Sequence, residues 1–154
     1  MEINRIHEIL RREYAGESWH GPSLSEILEG VSAQKATKRV FPNVHNIAEL
    51  VIHMTNWRIF TLEKLTGGDS YDIILNSKAD WSTINNLTDE GWQEILETLA
   101  DTQTELLEIT SKFPVQRINH IVPGRKYSFY MLLHGIIQHD IYHAGQISIL
   151  KKMI

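Results

Sequence analysis

The chain has 154 residues, of which 42% are hydrophobic and 22% are charged, and this size and composition predict one globular domain spanning residues 1–154. Its net charge of -4 argues against a nucleic-acid-binding or anionic-membrane-binding surface, because both require clustered lysines and arginines. The absence of cysteine excludes disulfides, thiolate metal sites and a thiol nucleophile among these residues.

The first segment, up to Ala15-Gly16, has the amphipathic periodicity of a helix. It opens without the apolar run of a signal peptide, and the sequence contains no stretch of eighteen apolar residues. We therefore expect a cytoplasmic protein that neither crosses nor binds a membrane.

The turn-forming segment 18–23 carries two large side chains, Trp19 and His20, before a short extra helix that begins at Ser23. Trp19 has two interpretations. It could cover the end of a helical bundle, or the turn could place it over the mouth of a pocket, since loops on rigid scaffolds often carry functional groups. On the second interpretation, Trp19 and His20 are candidate substrate-pocket residues.

A second long helix is predicted from Asn46 to about Leu65. Asn46 and Glu49 have the spacing of a capping box, and two glycines follow the helix. The inward face has members spaced three, four and three residues apart: Leu50, His53, Trp57 and Phe60. A histidine therefore occupies a position where an aliphatic side chain is expected.

The second half of the chain contains two more long helices. Residues 69–87 show no periodicity and predict a long connection, which allows the helices on either side of it to lie parallel. Thr88 begins the third long helix, which ends before Pro114, and weak alternation in residues 115–127 predicts a small hairpin. The last helix should run from Ser128 to about Lys152.

The last helix, like the second long helix, has histidines where aliphatic side chains are expected. Its inward stripe contains two histidines four residues apart: Ile136, His139, His143, Ile147 and Leu150. Residues four apart are separated by about 6 Å along a helix and about 40° around it, so both rings can reach one metal ion. We expect His53, His139 and His143 to converge on one ion, although neutral core histidines with hydrogen-bonded rings remain the alternative.

Several neighbours of these histidines could assist such a site. Asp140 and Gln146 are candidates to orient an imidazole or to hold the bound nucleophile, with a surface charge and a helix-packing group as their respective alternatives. Trp57 could belong to the core or form a wall of the substrate pocket. Glu49 could be a fourth metal ligand instead of a capping residue, and Gly145 would let another helix approach closely.

These segments together resemble the DinB-like superfamily. The resemblance rests on residues 46–57 (NIAELVIHMTNW) and 139–147 (HDIYHAGQI), supported by the turn at residues 19–23 (WHGPS), and it extends over nearly the whole chain. It implies an all-α four-helix bundle in up-down-down-up order. It also implies a divalent metal ion, nickel or zinc, held by His53, His139 and His143, and often a homodimer.

The relatives implied by this resemblance include bacillithiol S-transferases, a mycothiol-dependent isomerase and many members without an assigned reaction. Our leading hypothesis is a metal-dependent enzyme that transfers a small-molecule thiol to an electrophile through a metal-bound thiolate. One alternative is a hydrolase that uses metal-bound hydroxide. Others are a stress-response module whose metal site is closed by Glu49 or His45, and a purely structural helical homodimer.

Overall fold

The computed structural model describes residues 2–68 and 71–154, and it is built from helices. Four helices are long: α1 (Glu2–Ala15), α4 (Ile47–Thr66), α5 (Asp89–Lys112) and α6 (Phe129–Met153). Two short helices, α2 (Leu24–Leu28) and α3 (Ala33–Thr37), lie between α1 and α4, and a 3-10 turn (Val115–Arg117) follows α5. No β-strand forms in these residues, which confirms the all-α fold class.

None of the helices in residues 2–68 and 71–154 has the length and hydropathy needed to span a bilayer.

The helix ends lie where the capping residues predict them. The Asn46 side chain accepts a hydrogen bond from the Glu49 backbone N–H at 2.9 Å, and the Glu49 carboxylate accepts one from the Asn46 N–H at 3.2 Å. Gly67 ends α4 with a φ of 86°, a left-handed conformation that glycine adopts without strain. Thr88 and Ser128 cap α5 and α6 through their hydroxyl oxygens. Local chemistry therefore determines the limits of these three helices.

Two core clusters establish the direction of each long helix. The first contains residues from the amino-terminal part of α1, the carboxyl-terminal halves of α4 and α5, and the amino-terminal half of α6. The second contains the amino-terminal halves of α4 and α5, the carboxyl-terminal half of α6, and residues of α2 and α3. Tyr14, at the end of α1, also packs against the second cluster. The helices therefore run up, down, down and up, as the resemblance implies.

The structure differs from the sequence expectations at two connections. Residues 33–37 form α3, which we did not predict because the segment is polar; Ser32 caps it, and Ala33 and Ala36 are buried. The segment before α6 has one antiparallel bridge, between Ile121 and Ser128, in place of a hairpin with strands. Of the predicted long connection, residues 69 and 70 lie outside the described part, and the remainder contains no helix.

A charged cluster lies between α1, α4 and α6. Arg58 and Asp140 are both 0% exposed; the Arg58 Nε donates to Asp140 Oδ2 at 2.9 Å, and Nη2 lies 2.7 Å from the same oxygen. Glu13 is 2% exposed, and its carboxyl has no hydrogen-bond partner among the described residues. Burial, followed by the nearby Asp140 charge, raises the pKa of Glu13 to about 8. Glu13 is therefore mostly protonated at neutral pH, and Arg58 and Asp140 form an ion pair that has no net charge.

We expect Glu13→Gln to stabilise the protein at alkaline pH. Because the folded-state pKa lies above the unfolded value of 4.5, the favourable contribution of Glu13 is complete below that value and is lost as the pH rises through about 8. Glutamine does not ionise, so the variant should gain a few kcal/mol over wild type at pH 9 and little at pH 4. Urea unfolding at both pH values measures the difference.

Glu17→Gln, at an exposed position just beyond α1, is the control and should change stability little at either pH. If the difference in free energy of unfolding between Glu13→Gln and wild type is the same at pH 4 and pH 9, Glu13 is not held protonated by its surroundings.

Candidate metal centre

Three histidines from two helices converge between α4 and α6. His53 lies on α4, and His139 and His143 lie one turn apart on α6. One nitrogen from each ring can be chosen so that all three lie within 4.8 Å of one another. Two nitrogens bound to the same zinc ion lie at most ~4.2 Å apart, so shifts of less than an ångström would bring all three into coordination. The structure thus brings together the three predicted ligands.

Asp80 fixes the orientation of His53. With its ring proton on Nδ1, His53 donates to the Asp80 carbonyl oxygen at 2.9 Å, and Nδ1 also lies 3.0 Å from Asp80 Oδ1. The opposite nitrogen, Nε2, is then an acceptor that faces the other histidines. Burial lowers the pKa of His53 below its usual 6.5, so the ring is neutral at neutral pH. A neutral imidazole with a fixed tautomer is the form that binds metal.

Gln146 has the same role toward His143. The His143 Nδ1 donates to Gln146 Oε1 at 2.8 Å, which leaves Nε2 without a proton. Burial lowers the pKa of His143 from 6.5 to about 4, with the Gln146 hydrogen bond acting in the opposite direction. The sequence-based interpretation of Gln146 as an orienting group is supported by this contact, because the amide oxygen holds the ring proton away from the centre.

The third histidine, His139, is the most accessible of the three. Its side chain is 23% exposed, against 6% for His53. Its Nε2 lies 3.0 Å from Nε2 of His53, and its buried Nδ1 has no hydrogen-bond partner among the described residues. Because two neutral rings here direct lone pairs toward a third imidazole, the donor set fits a divalent cation. Imidazole ligands suit nickel and zinc, and also copper and iron.

Two tryptophans pack around the histidines. The Trp81 indole is sandwiched between His45 and His53, at centroid distances of 3.8 and 3.7 Å and with nearly parallel planes. The Trp57 Nε1 donates to Asp80 Oδ1 at 3.0 Å, and its ring centroid lies 5.9 Å from that of His139. The long connection between α4 and α5 therefore supplies one face of the site through Asp80 and Trp81.

Two cavities border the group of three histidines. One, of about 290 Å³, reaches His139 and is walled by Trp57 and residues of α4 and α6. The other, of about 450 Å³, reaches His143 and Gln146 and has Trp81 and His45 in its wall. Space for a small molecule is therefore present next to the ligands, as an open metal site requires.

The other predicted site residues have mixed outcomes. Asp140 is buried rather than a surface charge, and its Oδ1 is 3.7 Å from His139 Nδ1, which is too far for a hydrogen bond. Trp57 is half-buried and contributes to a cavity wall. Trp19 is fully exposed, and neither it nor His20 lines either cavity beside the histidines. The structure does not bring these two residues to the site, and their role in a substrate pocket stays a prediction.

Two further expectations are settled by the packing. Glu49 is engaged as a capping residue and by Arg39, and it accepts a hydrogen bond from the Ile84 N–H, so it is not oriented as a fourth ligand. The expectation for Gly145 was wrong: it is exposed, and a Cβ added there would meet nothing within 4 Å. No other helix in the described part of the chain approaches closely at that position.

Asp80 and Trp81 are the functional residues that sequence reasoning missed. Both lie in a connection without periodicity, 27 residues beyond His53 in the case of Asp80. A single aspartate followed by tryptophan in a polar segment gives no local signal for contact with a distant helix. Only the folded path of the connection reveals their role.

Comparison with protein families gives a match over most of the chain. The family model described as the DinB superfamily matches residues 18–147, which include all three histidines. No curated protein and no solved structure matches the chain.

We expect Asp80→Ala to lower the affinity for a divalent metal ion by ~10–100-fold, the usual effect of removing a group that orients a ligand. The backbone carbonyl of residue 80 would still accept from His53, so the fold should persist. Competition with a chromogenic chelator measures the affinity of the tag-free protein. Asp101→Ala, on an exposed face of α5, is the control, and equal affinities of the two variants would show that the Asp80 carboxylate does not orient His53.

The metal-free protein should lose stability in mild acid because of His143. Its folded-state pKa lies below the unfolded value of 6.5, so the unfolded chain takes up a proton at this residue more readily than the folded protein. The resulting loss of folding stability is absent above pH 6.5 and grows as the pH falls to about 4. The free energy of unfolding of His143→Gln should therefore fall less than that of wild type between pH 7 and pH 4.5, as measured by urea denaturation.

His120→Gln provides the control, because His120 is exposed and distant in sequence from the centre. Parallel losses of stability in wild type, His143→Gln and His120→Gln would contradict the burial of a neutral ring at position 143.

Proposed function

Because the chain belongs to the DinB superfamily and its three histidines could hold a metal ion, we propose that it is a metal-dependent enzyme that transfers a low-molecular-weight thiol to an electrophile. The main support for the proposal is that imidazoles from α4 and α6 meet at a point bordered by two cavities. The resemblance noted above favours bacillithiol or a similar thiol as the donor, and nickel or zinc as the metal.

An open site supports catalysis rather than a structural metal. Among the described residues, the group that could hold an ion contains three histidines and no carboxylate. The two residues considered for closing the site are engaged with each other, since His45 Nδ1 lies 3.1 Å from Glu49 Oε2. Structural zinc sites usually have four protein ligands, whereas catalytic sites usually have three and leave one position for water or substrate.

The chain's own residues would keep the site ready for such a reaction. A divalent metal ion held by the three histidines would lower the pKa of a thiol, so that its sulfur reacts as a thiolate at neutral pH. Asp80 and Gln146 hold the Nδ1 protons of His53 and His143, so these rings stay available as neutral donors. Trp57 and Trp81 limit the access of water from the sides that they cover.

The proposed transfer needs no protein nucleophile, which agrees with a chain that contains no cysteine. The thiol loses its proton to solvent, and its sulfur lone pair forms a bond with the electrophilic carbon. The leaving group departs with the electron pair of the bond that breaks. With monochlorobimane as the electrophile, chloride leaves and the bimane thioether is the fluorescent product. The homodimer expected from the resemblance stays a prediction.

Thiol transfer can be tested with tag-free protein loaded with nickel or zinc, bacillithiol and monochlorobimane. Bimane fluorescence should rise faster than in the protein-free reaction, and His139→Ala should reduce the rate to that background, because the most accessible ligand is lost. His120→Ala is the matched histidine control and should retain the wild-type rate, since residue 120 is exposed outside the site.

A wild-type rate no higher than that of His139→Ala would remove the transferase proposal. Metal-dependent ester hydrolysis in the same preparations, lost in His139→Ala and kept in His120→Ala, would instead favour the hydrolase. Absence of both activities in a metal-loaded protein would leave a non-catalytic metal-binding module.

A further inference from the structure

The cavity beside His139 has a consistent chemical character. It lies between α4 and α6 and has a volume of about 290 Å³. Its wall consists mainly of aromatic and aliphatic side chains: Trp57, Phe60, Thr61, Tyr127, Met131, Leu132, Gly135, Ile136 and His139. We call this the His139 cavity. A cavity of about 150 Å³ lined by aliphatic and aromatic groups is enough for benzene, so this one has room for one or two fused rings.

Among the described residues, no aspartate, glutamate, lysine or arginine lines the His139 cavity. The hydroxyl of Thr61 is already engaged, since it donates to the Trp57 carbonyl at 2.9 Å. In the metal-free protein, a carboxylate, phosphate or sulfonate placed there would exchange water for apolar walls without gaining a countercharge from the lining residues, which is unfavourable. The lining therefore selects for uncharged, apolar groups and against ionic ones.

The His139 cavity ends at the metal centre. His139 belongs both to its wall and to the group of three histidines, and it is the most exposed of the three. Trp57 lies on the same side, with its ring 5.3 Å from Phe60 and 5.9 Å from His139. An aromatic group in the cavity would thus contact aromatic walls and present its substituent toward the histidines.

Gly135 leaves this space open. It lies one turn before His139 on α6, and a Cβ added at residue 135 would meet nothing within 4 Å. Because Gly135 also lines the cavity, a larger side chain there would project into it. Glycine within a helix costs about 1 kcal/mol relative to alanine, so a substitution should not weaken α6 itself.

We propose that the His139 cavity binds the uncharged aromatic part of a small-molecule substrate and holds its reactive carbon beside the metal centre. Identifying this substrate as the electrophile of the thiol transfer rests on the proposed function.

Calorimetric titration of 2-naphthol into metal-free and metal-loaded protein at pH 7 tests the cavity directly. Naphthol is an uncharged two-ring compound, and naphthalene-2-sulfonate differs from it mainly in charge. Wild-type protein should bind one naphthol in both states, and the metal-free protein should bind the sulfonate at least ~10-fold more weakly than naphthol. Gly135→Leu should weaken naphthol binding at least ~10-fold, because its side chain occupies the cavity.

Gly145→Leu is the matched control. Gly145 lies on the same helix, a Cβ there also meets nothing within 4 Å, and the residue lines neither cavity. Its naphthol affinity should equal that of wild type. Met131→Glu provides a second variant that does not alter the core: Met131 is 58% exposed in the first turn of α6, where a carboxylate is favourable. It should also weaken naphthol binding, because it removes apolar wall area.

The outcomes separate this inference from the proposed function. Equal naphthol affinity in folded Gly135→Leu and wild type, or equal affinity of metal-free wild type for naphthol and the sulfonate, would overturn the cavity assignment whatever the transfer assay gives. Naphthol binding that is lost in Gly135→Leu and kept in Gly145→Leu supports the assignment. If such binding occurs without any thiol transfer, the cavity stands as a binding site and the transferase proposal fails.

Discussion

The buried ion pair between Arg58 and Asp140 joins the two helices that carry all three histidines. Arg58 lies five residues after His53 on α4, and Asp140 directly follows His139 on α6. Both side chains are fully buried, and removing one partner of such a pair typically costs ~3–5 kcal/mol. A packing in which α4 and α6 were displaced by one turn would separate these charges. The ion pair therefore sets the alignment in which the histidines can meet.

With α4 and α6 aligned, the connection before α5 determines what the histidines can do. Its residues Asp80 and Trp81 contact His53 by a hydrogen bond and by stacking, and Asp80 also accepts from Trp57. Gln146 performs the equivalent task within α6 for His143. These contacts hold ring protons on the outer nitrogens, and burial disfavours the charged form of both rings. The centre is thus prepared for a cation before one binds.

Much of this architecture was predictable because helices are encoded locally. The caps at Asn46, Thr88 and Ser128 and the glycine at position 67 act within a few residues, so the sequence predicts helix ends close to those observed. Where local signals are weak or absent, the structure differs from the sequence-based expectations. The helix α3 was not predicted because its segment is polar and, with five residues, too short for its periodicity to be recognised; nothing in the sequence around Gly145 shows that the residue faces open space.

By itself the sequence determined the positions of the four long helices, the faces that they bury and the three histidines that replace aliphatic residues on those faces, because periodicity and capping act over one or two turns. The tertiary structure alone decided which nitrogens face one another, that Asp80 orients His53 and where space remains. These features depend on contacts between residues far apart in the chain, 86 residues for His53 with His139, 82 for Arg58 with Asp140 and 27 for His53 with Asp80. No local pattern encodes such distances, since they follow from how four helices and one long connection pack together.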